Sequence, residues 1–153
     1  MKTEKPHPVF IHGPVPSKLI GDLVEKHSTK TAIGAHGIFL GQVRADVIFD
    51  KTVSAIEFTA YEEMAAEMFS DIRKAAFGSY PINCLHIHHS LGSVKAGGVC
   101  LLVFVSSPHR DAAFEACRWI VEQIKLNVPV WGKEIFDDRS HTWKKNILKK
   151  NIT

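Results

Sequence analysis

Seven consecutive apolar residues, Val99 to Val105, constrain this chain more than any other feature. A strand with one wet face alternates apolar and polar residues, whereas an unbroken apolar run has to be covered on both faces. The run therefore predicts a central strand, opened by the turn signal Gly97-Gly98. It gives way to Ser106-Ser107-Pro108-His109-Arg110, after which helical spacing holds from about Asp111 to Asn127. Phe114, Cys117, Val121 and Ile124 form the expected core stripe of that helix, with Ala113 and Ile120 beside it. Pro129 stops it.

The other segments can be read in the same way. Val9 to His12 predicts a short strand, ended by Gly13, Pro14 and Pro16. Ser17 is expected to cap a helix reaching about His27, because Leu19, Ile20, Leu23 and Val24 share one face. Ala35 to Val43 reads as a strand in which Gly37 and Gly41 permit close backbone approach or bulges. Val53 to Tyr61 alternates and leads into a helix from Glu62 to about Phe77, carried by Met64, Ala65, Met68, Ile72 and Ala75 and ended by Gly78 and Pro81. Leu85, Ile87 and His89 alternate with His86, His88 and Ser90, a half-buried strand whose second face is expected to be exposed. Val130 to Phe136 is a short strand before a turn at Asp137-Asp138. Strands that alternate with helices but also stand as hairpin-like neighbours predict an α+β class, a mostly antiparallel sheet with packed helices.

Composition narrows the function classes. A chain of 153 residues fits one domain, residues 1–153, with a mobile tail expected after about residue 143. At 45% hydrophobic and 23% charged residues it has the profile of an ordinary globule. No apolar run reaches bilayer length. Met1 to Pro8 is polar, carries Lys2 and Lys5, and is followed by no apolar signal segment, so a cytoplasmic protein is expected. Cys84, Cys100 and Cys117 are odd in number and lack CxxC spacing, which favours small buried hydrophobes over a disulfide framework or a zinc knuckle. A net charge of +3 is too mild to demand nucleic acid. Part of the excess lies at Lys144, Lys145, Lys149 and Lys150; such a run is by default a solvated face, and it also attracts anionic substrates or acidic partners.

Four polar clusters stand at predicted element ends, where sites tend to be built. They are Gly41-Gln42-Val43-Arg44, Ser106 to Arg110, Lys125, and Gly132-Lys133-Glu134. On physics alone the second is the most suggestive. A helix start offers free N–H groups and the positive dipole end, and Arg110 adds a charged fork for phosphate or carboxylate. The competing explanation is a serine cap with solvated His109 and Arg110. Arg44 alone is also explained as a surface arginine, Lys125 as a lysine complementing a helix C-terminus, and Lys133-Glu134 as an exposed charge pair. His86 and His88 share a strand face, but zinc wants three or four ligands and no Asp or Glu stands nearby to complete a shell, so no metal is expected. Trp119 reads as helix packing; for Trp131, between Pro129 and Gly132, a pocket wall is equally open.

In this order the clusters resemble the MoaE family, the large subunits of molybdopterin synthase. The resemblance runs from about Gly34 to Trp143 and rests on Phe39-Leu40-Gly41-Gln42-Val43-Arg44, Tyr61-Glu62-Glu63-Met64-Ala65, His89-Ser90-Leu91-Gly92, Ser106 to Ala116, and Lys125 with Val128-Pro129-Val130-Trp131-Gly132-Lys133-Glu134. It implies an α/β-hammerhead-type fold and a homodimer. Each large subunit is then expected to bind a small ubiquitin-like sulfur carrier ending in a Gly-Gly thiocarboxylate, forming a heterotetramer. Sulfur would pass to cyclic pyranopterin monophosphate to make the molybdopterin dithiolene, with no metal or organic cofactor of the subunit's own. By the same resemblance Arg44, His109 and Arg110 hold anionic oxygens, Lys125 lies beside the thiocarboxylate as a catalytic group, and Lys133 is a second catalytic cation. Glu134 orients Lys133, while Gln42, Val43 and Gly132 line the pocket. The chain departs from the pattern twice: Gly132 stands where the family has a lysine, and Ser90 where it has an arginine. The rival readings are a non-catalytic module holding a phosphorylated ligand or RNA, against which no aromatic-rich RNA-recognition strand is present, and a degenerate subunit that keeps the interfaces and has lost catalysis, which only Gly132 supports.

Overall fold

A computed structural model describes residues 8–144, so Lys2 and Lys5 at one end, and Lys145, Lys149 and Lys150 in the expected mobile tail, lie outside the described residues. The elements in chain order are β1 (Phe10–His12), α1 (Ser17–His27), β2 (Ala35–Gln42), β3 (Val47–Ile48), β4 (Lys51–Ala60), α2 (Glu62–Ser79), β5 (Cys84–Lys95), β6 (Val99–Ser107), α3 (Arg110–Asn127), β7 (Val130–Phe136) and β8 (His141–Trp143). They form one mostly antiparallel sheet in the order β2-β6-β5-β4-β7-β8, with β1 added parallel to β5 and β3 paired to β4. The α+β class expected from the sequence is the class observed.

The apolar run is covered on both faces, as its composition requires. Leu101, Val103 and Val105 of β6 join α2 and α3 in the main core, while Leu102 and Phe104 pack with Val15 and Leu23 beneath α1. A third cluster, Val43, Val53, Ile56, Val94, Cys100 and Phe136, fills the β4–β7 end. Strand β5 links the two ends: Cys84 to His89 pair with β6, and Gly92 to Lys95 pair with β4. Gly92 at the changeover has φ +77, a conformation that favours glycine.

Several expectations shift in detail. Pro16, not Ser17, occupies the N-cap of α1, and Ser17 is its first helical residue. The buried stripe of α2 is Ala65, Phe69, Ile72 and Ala76, which turns Met64 and Ala75 outward; Gly78 lies inside the helix, which ends before Pro81. In α3 the inward residues are Ala113, Ala116, Cys117, Ile120 and Ile124, and Phe114 is 66% exposed. The cause is the closeness of α3 to β2. A Cβ on Gly37 would meet the Ala113 carbonyl oxygen at 2.6 Å, and one on Gly34 would run into that of Pro108. Only small side chains fit so tight an interface, so the large Phe114 is displaced to the outside. The second face of β5 is not the open surface expected. Helix α1 lies over it, and the His27 and His86 Nε2 atoms are 3.2 Å apart.

Candidate functional site

Where α3 ends, its last turn faces the β4–β7 end of the sheet across a cavity of about 330 Å³. Buried Ile124 and Val128 anchor that turn, which closes with the Val128 N–H donating to the Ile124 carbonyl at 3.2 Å. Lys125 is thereby projected into the cavity. Gln42 and Val43 enter from the end of β2, beyond a register shift at Gly41/Gln42; the Val43 N–H donates to the Gly98 carbonyl at 2.9 Å. Phe58 of β4 faces Gly132 of β7 in register, and both line the cavity with Trp131. Trp131 meets Tyr61 edge-on at 5.2 Å, so it is a pocket wall.

The electrostatics of this pocket follow from burial. Lys125 keeps exposed surface, yet burial lowers its pKa from 10.5; the charge of an ionised Cys100 opposes the shift and the Lys144 charge adds to it. Burial raises the pKa of Cys100, whose thiol donates to the Gly41 carbonyl at 3.4 Å. Burial also holds His89 far below its ordinary 6.5, at about 4, with a backbone bond to Ser90 opposing and Lys125 reinforcing. At neutral pH His89 is therefore uncharged and Cys100 remains a thiol.

The other expected site residues are distributed differently. Arg44 follows Val43 at the pocket's edge, is exposed, and pairs with Asp46 at 3.3 Å. Lys133 does not line the pocket. Strand alternation puts it on the face opposite Gly132, where its ammonium stands 5.9 Å from the centre of the Trp143 ring. Glu134 is buried on the Gly132 side, across from Ile56. His109 caps α3 and Arg110 is its first residue, so a rise of 1.5 Å per residue puts them about 22 Å from Lys125 along the helix. A single chain does not bring them to Lys125. Ser90 is fully buried, and its carbonyl accepts the His89 Nδ1–H at 2.8 Å.

The sequence reading missed His89, Cys100, Phe58 and Lys144 as lining residues. His89 had a signal, being the third inward position after Leu85 and Ile87. Lys144 had only its place in the basic run: it reaches the pocket because β8 pairs with β7 and its own N–H donates to the Gly132 carbonyl at 2.8 Å. Among the described residues no group of His, Cys, Asp and Glu is arranged to hold a metal ion. No helix among them is long and apolar enough to cross a membrane.

Comparison with known proteins bears on this geometry. A family model described as MoaE protein matches residues 16–127. The molybdopterin synthase catalytic subunit of Pyrococcus abyssi is 40% identical over 110 residues, covering 72% of this chain and 74% of that protein. The subunit of the same name from a Nostoc species is 38% identical over 114 residues, covering 74% and 68%. The crystal structure of molybdopterin synthase from Staphylococcus aureus superposes with a TM-score of 0.76 at 27% identity, over 90% of this chain and 96% of that one. A chain from the complex of subunits 1 and 2 of the molybdopterin-converting factor of Helicobacter pylori gives the same score at 22% identity over 89% and 88%, a likeness of fold.

Proposed function

This chain belongs to the MoaE protein family, and from that premise we propose that it is the catalytic subunit of a molybdopterin synthase, a cytoplasmic sulfurtransferase. It takes sulfur from the thiocarboxylated Gly-Gly end of a small ubiquitin-like carrier and delivers it to cyclic pyranopterin monophosphate, forming the dithiolene of molybdopterin. The observation that carries this reading is Lys125 lining a pocket at the end of α3 between β2, β4 and β7, where burial lowers its pKa.

The chemistry asks for such a group. When sulfur leaves an acyl carbon, negative charge develops on the acyl oxygen and protons have to be moved. A fixed cation in a low-dielectric site stabilises that charge with little reorganisation, and a lysine with a lowered pKa both gives and takes a proton near neutrality more readily than a solvated one. Gln42, Val43 and Gly132 shape the cavity around the tail, with Glu134 buried behind it. Arg44, at the edge, and His109 and Arg110 bind the anionic oxygens of the pterin phosphate. Since His109 and Arg110 lie about 22 Å from Lys125 on the same helix, they serve the pocket of a second copy in a homodimer, which with two carriers makes the heterotetramer. The non-catalytic phospholigand or RNA module gains no support, because the relatives matched are catalytic subunits.

The test is reconstitution. Full-length protein, thiocarboxylated carrier and cyclic pyranopterin monophosphate are mixed, and molybdopterin is followed as its fluorescent oxidation product. Product formation that needs all three components is expected; salt-sensitive RNA binding without sulfur transfer would instead favour the binding module.

A further inference from the structure

Among the described residues two lysines, not one, line this pocket. Lys125 comes from the last turn of α3 and Lys144 from just past β8, and the second is held there by its own backbone, whose N–H donates to the Gly132 carbonyl at 2.8 Å. Gly132 lines the wall beside it and contributes no side chain of its own; even a Cβ there would lie 2.9 Å from Ile56 Cγ2. A side chain on Gly132 would press on Ile56 and Phe58, so the cation on this side of the pocket comes from Lys144, just past β8.

The other titratable groups lining the pocket are His89 on β5 and Cys100 on β6. Burial keeps the first neutral and the second a thiol, so among the described residues the lysines are the charged groups lining the cavity. None of the described lining residues is Asp or Glu. The two ammoniums act on each other, the Lys144 charge contributing to the lowered pKa of Lys125. Convergence of like charges in a partly buried space costs stability, and an anion placed between them removes that cost.

We infer that Lys144 is a second substrate-binding cation of this pocket, which together with Lys125 grips the carboxylate-type anionic end of the incoming carrier tail. The lining favours that ligand over the pterin phosphate: Phe58, Val130 and Trp131 offer apolar contact to a peptide end, and the two cations are point-like ammoniums without an arginine fork. The inference deepens the sulfur-transfer reading and rests on it for the ligand's identity.

The test compares full-length wild-type protein with Lys144→Ala and Lys144→Arg. The side chain of Lys144 is exposed and its structural bond is made by the backbone, so both variants keep the fold. The first readout is the rate of amine acylation at Lys125 against pH, located by peptide mass. Loss of the neighbouring charge raises the Lys125 pKa, so in Lys144→Ala acylation near neutrality slows and the profile moves to higher pH, while Lys144→Arg keeps the wild-type profile. An unmoved profile in Lys144→Ala overturns the inference. The second readout is sulfur transfer in the reconstituted system: Lys144→Ala is expected to lose roughly 10²-fold in kcat/KM, the scale of removing one preorganised charge donor, with Lys144→Arg retaining most of the activity. Wild-type turnover in Lys144→Ala also overturns it. A third readout separates ligands: protection of Lys125 from acylation by unmodified carrier ending in a carboxylate is expected to need Lys144, whereas protection by inorganic phosphate alone would assign the pair to the pterin instead and defeat the inference. If wild-type protein makes no product while the acylation profile still moves, the paired cations stand and the sulfur-transfer reading falls.

Discussion

His89 makes the stability of this protein depend on pH in a way that can be calculated from its surroundings. Its ring is 4% exposed, packed edge-on against Phe58 at 5.3 Å and Phe10 at 6.4 Å, with Nδ1–H donating to the Ser90 carbonyl at 2.8 Å. In that setting its pKa is lowered from 6.5 to about 4. A histidine with a folded-state pKa below its unfolded value is protonated first in the unfolded chain. Its contribution is therefore complete above pH 6.5, declines as pH falls, and is lost by about pH 4. At 1.36 kcal/mol per pH unit the interval amounts to about 3 kcal/mol. With a urea m-value of about 1–3 kcal/mol per molar, the unfolding midpoint moves by about 1–3 M. The assay is urea unfolding of wild-type and His89→Gln protein at a series of pH values. Replacing the ring has a cost that does not vary with pH, while carboxylates elsewhere titrate equally in both proteins. The difference between the two stability curves should therefore shrink or reverse as pH falls from neutrality toward 4. Parallel curves across that range would refute the reasoning, because His89 would then ionise as readily inside the fold as outside it.

Other perturbations test separate parts of the argument. Lys125→Ala is expected to lower kcat for molybdopterin formation by about 10²–10³-fold with an unchanged urea midpoint; wild-type turnover would remove Lys125 from the mechanism. Lys133→Ala, on the far face of β7, is expected to leave kcat/KM near the wild-type value, and a loss as large as that of Lys125→Ala would show that it does reach the substrate. Gly34→Ala forces a methyl group against the Pro108 carbonyl and is expected to cost about 1–3 kcal/mol, read as a lowered melting temperature. Gly21→Ala, in the exposed middle of α1 with open space around it, is expected to add about 0.5–1 kcal/mol, so the two glycines give opposite signs in the same measurement.

What the sequence disclosed, and what it withheld, divides along the range of the interactions involved. The strand β6 and the start and stop of α3 were readable because seven adjacent apolar residues and one proline are local facts. The orientation of α3 was not, because Phe114 turns outward only when Gly34 and Gly37, some eighty residues earlier, let the helix settle onto β2. The α1 helix was legible from its apolar spacing, but nothing local said that it would cover His86. At the site, resemblance singled out Lys125 where physics alone offered a common dipole effect, since the burial that lowers its pKa comes from strands distant in sequence. It made Lys133 a second catalytic cation, and spacing along a motif does not encode which face a strand's side chain takes. Lys144 was read as one of a run of tail lysines and not as a pocket residue, because the β7–β8 pairing carrying it to Gly132 follows from a turn and not from composition.

Strand β5 is read twice, once by β6 and once by β4, and so its alignment is fixed from both ends of the same twelve residues. Sliding it by one position would turn Leu85 and Ile87 out of one core and Val94 out of another in a single event. Misalignment here is thus penalised as a whole rather than in part, and the distance from the lysine-bearing helix to the wall opposite is set by the ruling of one strand.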